Sequence, residues 1–370
     1  MKPPVFLTGA TGFLGMEVLA RLLERGDREV LALVRGADAD AATQRLQATL
    51  AKLWRDPSRY AGRVRAIAGD VTQPGLGMRA RERMQAAEES GAVLHCAASI
   101  AFDLPLDEAR AINVEGTREV IGFAREAKAL GRLDRFVHVS TAYVCGTHVG
   151  SFRERQLDAG QGFRNTYEQT KWEAEHVVND ASDLAPAIAR PSIVMGEAGS
   201  GWTPAFNVLY WPLRAFSRGL FDAVPGIPER IVDVVPVDYV ADALVALLDG
   251  EQAGVVNLVA GRNASTVGEV IELAAHAFEK PTPKVVPPGS VGTGSAHADG
   301  QGGVYLPYFD VEAAFDDARA RALLAPQGIV CPPLREYFPK LIGYATTARW
   351  GKRDLTREEA QAAAAGPAAA

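Results

Sequence analysis

Two apolar rhythms alternate along this chain. Short, largely apolar runs stand at Val5–Thr8, Val30–Val34, Val64–Ala68, Ala92–His95, Phe136–Val139 and Ala187–Arg190. Between them lie longer stretches in which apolar residues recur every third or fourth position. In Phe13–Arg25 these are Leu14, Val18, Leu19, Leu22 and Leu23, and Gly26 then stops the pattern; in Ala41–Trp54 they are Leu46, Leu50 and Leu53. The first rhythm predicts buried strands and the second predicts helices with one buried face. Ala109–Leu130 and Tyr167–Val178 are two further predicted helices. Strands that are largely apolar, each followed by a helix, predict a parallel sheet covered on both faces. Six such strands before residue 195 fit an α/β, doubly wound (Rossmann) fold.

Beyond residue 195 the texture changes. Gly199–Arg230 carries Trp202 and Trp211 among other aromatic residues and prolines. A helix is predicted over Val234–Leu248, starting near Pro236, a strand over Val255–Val259, and a helix over Val267–Phe278. Pro287–Gly303, rich in Gly, Ser and Pro, reads as a mobile loop. Phe309–Leu324 reads as helical, and the alanine-rich Ala360–Ala370 as a disordered tail or a frayed helix. No internal repeat is present. The expected organisation is a dinucleotide-binding domain over residues 1–195, to which 231–264 return. A smaller, interleaved C-terminal substrate-binding region takes 196–230 and 265–345, and a partly disordered tail takes 346–370.

Composition narrows the partners. The 370 residues are 48% hydrophobic, enough for a large core, and carry a formal net charge of −6. That balance, with no basic block, argues against nucleic acid or an anionic membrane surface. No run approaches the roughly 18 apolar residues of a membrane span, and the N-terminus does not read as a signal peptide. Cys96, Cys145 and Cys331 are odd in number and far apart, which favours a reducing cytoplasm over a disulfide framework. His138 and His148 lack metal-ligand spacing, so no metal is expected.

The chemistry starts at the loop after the first strand. Gly9, Thr11, Gly12, Phe13, Leu14 and Gly15 fall where a pyrophosphate would meet a helix N-terminus, and the glycines let the backbone approach it. The second strand ends in Arg35, where an NAD site would carry a carboxylate. A guanidinium there fits a 2′-phosphate and so NADPH, with Arg45 as a candidate second partner. Asp70, followed by Val71, stands where it could accept from an adenine amino group or simply shape a turn. Cys96, Ala97 and Ala98 are small enough for a cofactor to lie over the backbone.

Ser140 and Thr141 bring hydroxyls to the end of the fifth strand. Tyr167 and Lys171, four apart, share a helix face. An ammonium beside a phenol lowers its pKa and suits it to general acid–base work, while a hydroxyl opposite holds the substrate oxygen.

The motifs TGATGFLG (8–15), GD (69–70), HCAA (95–98), NVEGT (113–117), VSTAYV (139–144), YEQTK (167–171) and RPSIV (190–194) occur in this order over the first half of the chain. As a set they resemble the extended short-chain dehydrogenases/reductases. GDVTQPGLG (69–77), HCAASIAFD (95–103) and the stretch from Tyr305 to Ala345 are similar to fatty acyl-CoA reductases and thioester reductase domains. The resemblance implies that Tyr167 and Lys171 are catalytic, with Thr141 as the third member and Ser140 as its alternative. It also implies a structural Asn113, and places Pro191, Ser192 and Val194 beside the nicotinamide.

What the resemblance implies is NADPH-dependent reduction of an acyl thioester, on CoA or a carrier protein, to an aldehyde and on to an alcohol if a second hydride follows. The family supplies both monomers and homodimers. Residues 201–221 could line the acyl site or could be a packed lid or dimer face. Cys145 raises covalent acyl transfer as a rival, though a buried free cysteine is more often packing. Asp233 and Asp238 read as capping residues. Hydroxysteroid or sugar-nucleotide dehydrogenases and epimerases share the same triad, and an NADPH-sensing regulator is the non-enzyme alternative.

Overall fold

In the computed structural model, residues 2–206, 208–220, 223–287 and 308–366 are described. Through the first half the elements are β1 (Val5–Thr8), α1 (Phe13–Glu24), β2 (Val30–Val34), α2 (Ala39–Leu53), β3 (Val64–Ala68), α3 (Ala80–Glu89), β4 (Ala92–His95), α4 (Leu106–Arg110), α5 (Gly116–Ala129) and β5 (Arg135–Val139). Next come β6 (Gly150–Phe152), α6 (Thr166–Asp180), β7 (Ala187–Pro191), β8 (Ile193–Met195), α7 (Tyr210–Ser217), β9 (Ala223–Pro225), β10 (Ile231–Val232), β11 (Val234–Pro236) and α8 (Val237–Asp249). The chain continues through β12 (Gly254–Leu258), β13 (Ser265–Thr266), α9 (Val267–Ala277), β14 (Lys284–Val286), β15 (Ala313–Phe315), α10 (Ala318–Leu324), α11 (Leu334–Thr347) and α12 (Arg357–Ala365).

Seven strands form one parallel sheet in the order β12-β7-β5-β4-β1-β2-β3. All six predicted early strands belong to it, and the predicted Val255–Val259 strand joins it as the edge β12. Val5 sits opposite Val30 on one side and Ala92 on the other. The strand order therefore reverses between β1 and β4, and a ligand crevice opens at such a reversal, beyond the carboxyl ends of the strands.

The pleat divides the core into two layers. Val5 and Leu7 face a cluster with Val18, Leu22 and Leu50 of α1 and α2 and Val240 and Leu244 of α8. Phe6 points the other way and stacks on Phe123 of α5, ring centroids 4.0 Å apart. Burying a side chain of that size contributes roughly 1.5–3 kcal/mol. A third apolar cluster is built from Tyr143, Phe152, Leu209, Leu213, Phe216, Val270, Ile271, Phe338 and Leu341. Its elements follow the strand ends β5, β7 and β12.

Three sequence expectations need correction. Phe309–Leu324 is not one helix: Ala313–Phe315 is strand β15, paired in parallel with β6, and α10 starts at Ala318. Alternate burial of Ala313 and Phe315 overrides the helical pattern. Val234–Pro236 pairs with β8 as a strand, so the run from 234 is not all helix, while Pro236 N-caps α8 where the start was expected. The alanine-rich tail is not frayed over its described part. Thr356 and Glu359 form a capping box at the start of α12, and Arg357 of that helix is buried. The mobile loop expected from 288 onward lies outside the described residues.

Candidate active site

The glycine loop leaves β1 through Gly9, whose φ of +77° is a left-handed conformation that L side chains rarely adopt. A Cβ there would lie 2.7 Å from the Ala97 nitrogen, and one on Gly15 would lie 2.0 Å from the Gly9 carbonyl oxygen. These two glycines permit close packing within the loop. Gly12 differs. It is exposed, it N-caps α1 with no side-chain bond to the first-turn amides, and no acidic residue stands in that turn. A Cβ on Gly12 would meet only the Gly9 oxygen, at 3.3 Å. An uncapped, electropositive helix end under an open glycine fits a dinucleotide pyrophosphate. Thr11, Phe13 and Leu14 are half-buried around it.

A buried chain of hydrogen bonds fixes the next strand end. The Thr117 hydroxyl donates to the Asn113 carbonyl (2.6 Å), so its oxygen accepts from His95 Nε2 (3.1 Å). His95 Nδ1 then accepts from the Thr8 hydroxyl (2.7 Å), whose oxygen takes the Ala97 N–H (3.2 Å). Burial, and then the Lys171 charge, depress the imidazole pKa to about 3, which keeps His95 neutral for this role. The sequence reading named His95 only as a strand end. Its neighbours Cys96, Ala97 and Ala98 are half-buried.

Asn113 sits in a π-turn, Ala111–Glu115, that interrupts the expected single helix. Its Oδ1 accepts from the Ser99 N–H (2.8 Å), and its Nδ2 donates to the Ser99 carbonyl (3.2 Å) and the Thr170 hydroxyl (2.9 Å). It therefore ties the loop after β4 to α6. Asp70 Oδ1 accepts from the Thr72 N–H and hydroxyl, each at 2.9 Å, so that oxygen shapes the turn. Val71 is buried against the start of α5. Arg35 and Arg45 are exposed, and among the described residues neither side chain has an ion pair or hydrogen bond.

The hydroxyl residues divide by role. The Ser140 hydroxyl donates to Glu175 Oε2 (2.6 Å), and Glu175 is paired with Arg190, both fully buried. Ser140 is thus turned into the layer under the site. The Thr141 hydroxyl donates to the Pro191 carbonyl (3.3 Å) and accepts the Tyr143 N–H (3.2 Å), and it stands near enough to the Tyr167 phenol to pull its pKa down. The structure therefore brings Thr141, Tyr167 and the β7 end together and leaves Ser140 out. Ser192 is buried and Val194 half-buried on the segment that follows Pro191.

Tyr167 departs from the sequence expectation. Burial pushes its pKa up to about 12, against the hydrogen bond from Thr141 and with the Glu168 charge adding to the rise. Lys171 does not lower it in this geometry. Its Nζ donates to the Val139 carbonyl (2.8 Å), and burial brings its own pKa down to about 8. Among the described residues that is its single hydrogen bond, so two of its three donors have no protein partner. Burial likewise pushes the Cys145 thiol up to about 12, which removes it as a nucleophile.

Within the apolar segment 201–221, Trp202, Leu209, Tyr210, Leu213 and Phe216 are buried, Phe206, Val208 and Trp211 are half-buried and Leu220 is exposed. The buried members pack, and the half-buried and exposed ones leave both readings of the segment open. Asp233 accepts from the Ala260 (2.8 Å) and Gly261 (2.9 Å) amides and Asp238 from the Ala198 amide (3.0 Å), so both tie neighbouring loops together, and neither caps α8, whose N-cap Pro236 has no side-chain bond. Among the described residues no group of His, Cys, Asp or Glu side chains could hold a metal, and no helix is long and apolar enough to cross a membrane.

Comparison with known proteins bears on this geometry. The family described as male sterility protein matches residues 7–244. The fatty acyl-CoA reductase Wat of Drosophila melanogaster is 35% identical over 282 residues, 65% of this chain and 53% of that protein. The L-2-aminoadipate reductase large subunit of Eremothecium gossypii is 32% identical over 256 residues, 64% of this chain and 18% of that one. The chain thus spans about half the length of the fatty acyl-CoA reductase it matches. Among solved structures, the terminal R domain of the myxalamid PKS-NRPS pathway superposes with a TM-score of 0.82 at 25% identity, covering 94% of this chain and 91% of that one. UDP-glucuronic acid 4-epimerase from Bacillus cereus, in complex with NAD, superposes with a TM-score of 0.67 at 18% identity, covering 93% and 99%. That last likeness is one of fold.

Proposed function

This chain belongs to the male sterility protein family of nicotinamide-dinucleotide-binding extended short-chain reductases, and from that premise we propose that it reduces an acyl thioester with NADPH. The observation that carries the chemistry is the half-buried Tyr167 phenol beside the Thr141 hydroxyl at the end of β5, on the same helix face as the buried Lys171. A protonated phenol is what a reduction needs, because the carbonyl oxygen must gain a proton as it gains negative charge. The substrate class is supported by the relatives, which include a fatty acyl-CoA reductase and an aminoadipate reductase.

Bound NADPH supplies the hydride. The chain's own residues do the rest. Thr141 and Tyr167 hydrogen-bond the thioester oxygen, a preorganised stabilisation of the developing oxyanion. The Tyr167 proton passes to that oxygen. Lys171, whose two remaining donors face no protein acceptor, anchors the nicotinamide ribose and restores the Tyr167 proton. Collapse of the hemithioacetal releases thiol and aldehyde; a second hydride would give the alcohol. The amides at the start of α1 hold the pyrophosphate. Arg35, exposed and unpaired at the end of β2, meets the 2′-phosphate, with Arg45 as its neighbour on α2. Ala97, Ala98, Pro191, Ser192 and Val194 border the cofactor, and Asn113 positions the loop beside it. The thioester arrives on CoA or a carrier protein, bound over the region 196–230 and 265–345. The three free cysteines support a reducing, cytoplasmic setting.

The test is NADPH consumption against acyl-CoAs, free aldehydes and UDP-sugars, with products identified by mass. Acyl-CoA-dependent consumption with aldehyde or alcohol formed is expected. Turnover of aldehydes or ketones alone would remove the thioester and keep the hydride chemistry.

A further inference from the structure

The position of the reacting carbonyl follows from the Thr141 and Tyr167 hydroxyls, so its substituents must leave past the neighbours of the Tyr167 ring. Phe102 is one. Its ring centroid lies 5.6 Å from that of Tyr167. Phe102 is only half-buried, and Ile100, two residues earlier on the same loop, is 59% exposed. A large apolar side chain beside the Tyr167 phenol and partly open to solvent, with an exposed isoleucine on the same loop, asks for an apolar ligand.

The loop that carries them is held firmly. Asn113 brackets Ser99 at one end, through its amide N–H and its carbonyl. The Thr166 hydroxyl, one residue before Tyr167, donates to the Leu104 carbonyl (3.0 Å) and reaches the Phe102 carbonyl (3.4 Å). Behind Phe102, Tyr308 stacks on its ring at 5.1 Å and 22° and meets Tyr143 edge-on at 4.8 Å. The Tyr308 oxygen accepts from Asn165 Nδ2 (3.1 Å). The wall is therefore preorganised and leans on the same helix that carries Tyr167 and Lys171.

We propose that Phe102, with Ile100 beside it, is the wall against which the substrate's acyl chain lies, and that it sets selectivity for chain length. This rests on the thioester reading above. The acyl side of the thioester fits this wall better than the thiol side. A pantetheine arm carries two amides, and desolvating them against side chains without a hydrogen-bonding group is unfavourable.

The experiment measures kcat/KM for the wild type, Phe102→Ala and Ile100→Ala on a series of saturated acyl-CoAs, and on the same acyl groups carried by pantetheine alone. On an intact wall each added methylene raises kcat/KM about fourfold until the chain outgrows it. In Phe102→Ala the rise per methylene flattens, so the loss against wild type grows with chain length. The loss is the same on both carriers. Ile100→Ala, at an exposed position, gives a smaller flattening and covers the case that Phe102→Ala unfolds. Unchanged slopes in both variants would overturn the inference while leaving the thioester reading standing. A loss that follows the carrier and not the acyl length would move the wall to the thiol side and overturn it too. A wild type that turns over no thioester overturns both.

Discussion

Two sites of buried charge in this chain are built on opposite rules. On the flank of α1, Arg357 of the last helix meets Glu197 at 2.7 Å, Glu24 at 2.9 Å and Glu17 at 3.1 Å. Arg21 is paired with Glu17 and, at 2.6 Å, with Asp242. Here nearly every charge has its counter-charge. At the reaction centre Lys171 is as deeply buried, yet among the described residues it holds one backbone carbonyl and no carboxylate within ion-pair distance. A buried charge that the protein neutralises itself is architecture. One left short of partners is destabilised until something else supplies them, as active sites commonly are.

The largest test of that contrast is at Tyr167. Tyr167→Phe should lower kcat by about 10²–10⁴-fold, the usual weight of a general acid. It should move the unfolding free energy by no more than about 1 kcal/mol, since one hydrogen bond is lost. Arg357→Ala is the mirror experiment. It strands the buried Glu197 carboxylate, and removing one partner of such a pair costs about 3–5 kcal/mol. Denaturant unfolding of both variants beside steady-state rates separates them. A tail variant as stable as wild type would mean that α12 does not hold the fold.

The two clusters were not equally legible in the sequence. The glycine loop and the Tyr167–Lys171 pair can be read because their parts lie within a few residues of each other, or on one helix turn. The tail network cannot, because Arg357 finds its partners at positions 17, 24 and 197, and an arginine in an alanine-rich stretch looks like a solvated face. The choice between Ser140 and Thr141 illustrates the same limit. Adjacent strand residues point to opposite faces, but which one meets Tyr167 depends on Glu175 and Arg190 claiming Ser140 from below. Residues 201–221 were ambiguous for a related reason: an apolar run can be wall or core, and only packing decides. Phe102 drew no attention, since nothing in its local pattern announces that it touches Tyr167.

A smaller effect tests the cofactor side. Arg35 stands unpaired on the surface, by the same rule as Lys171 in the interior. If it meets the 2′-phosphate, Arg35→Ala weakens NADPH binding by about 1.5–3 kcal/mol, or ten- to a few hundredfold in Kd, and leaves NADH unchanged. Fluorescence titration with both dinucleotides reads this directly. Equal losses for the two would assign Arg35 to the shared part of the cofactor.

The effect that is smallest per step of the measured variable is a slope against pH, and its sign differs between the clusters. Burial raises Glu17 from about 4.5 to about 8, with Arg21 and Arg357 opposing the rise and Glu197 and Asp238 adding to it. A group whose pKa is raised on folding contributes stability below its unfolded pKa and loses it as pH climbs through the folded one. Stability from Glu17 therefore declines between about pH 4.5 and 8. Lys171 is lowered from about 10.5 to about 8. Its contribution is present above about pH 10.5 and is lost as pH falls through about 8, so stability from Lys171 rises across that window. Each limb is at most one proton, about 1.4 kcal/mol per pH unit. Unfolding free energies measured from about pH 5 to 10 should show Glu17→Gln flattening the first limb and Lys171→Met the second, each leaving the other's limb intact. If Lys171→Met instead altered the acid limb, the two clusters would be one coupled system across α1 and the sheet, and the contrast between them would fail.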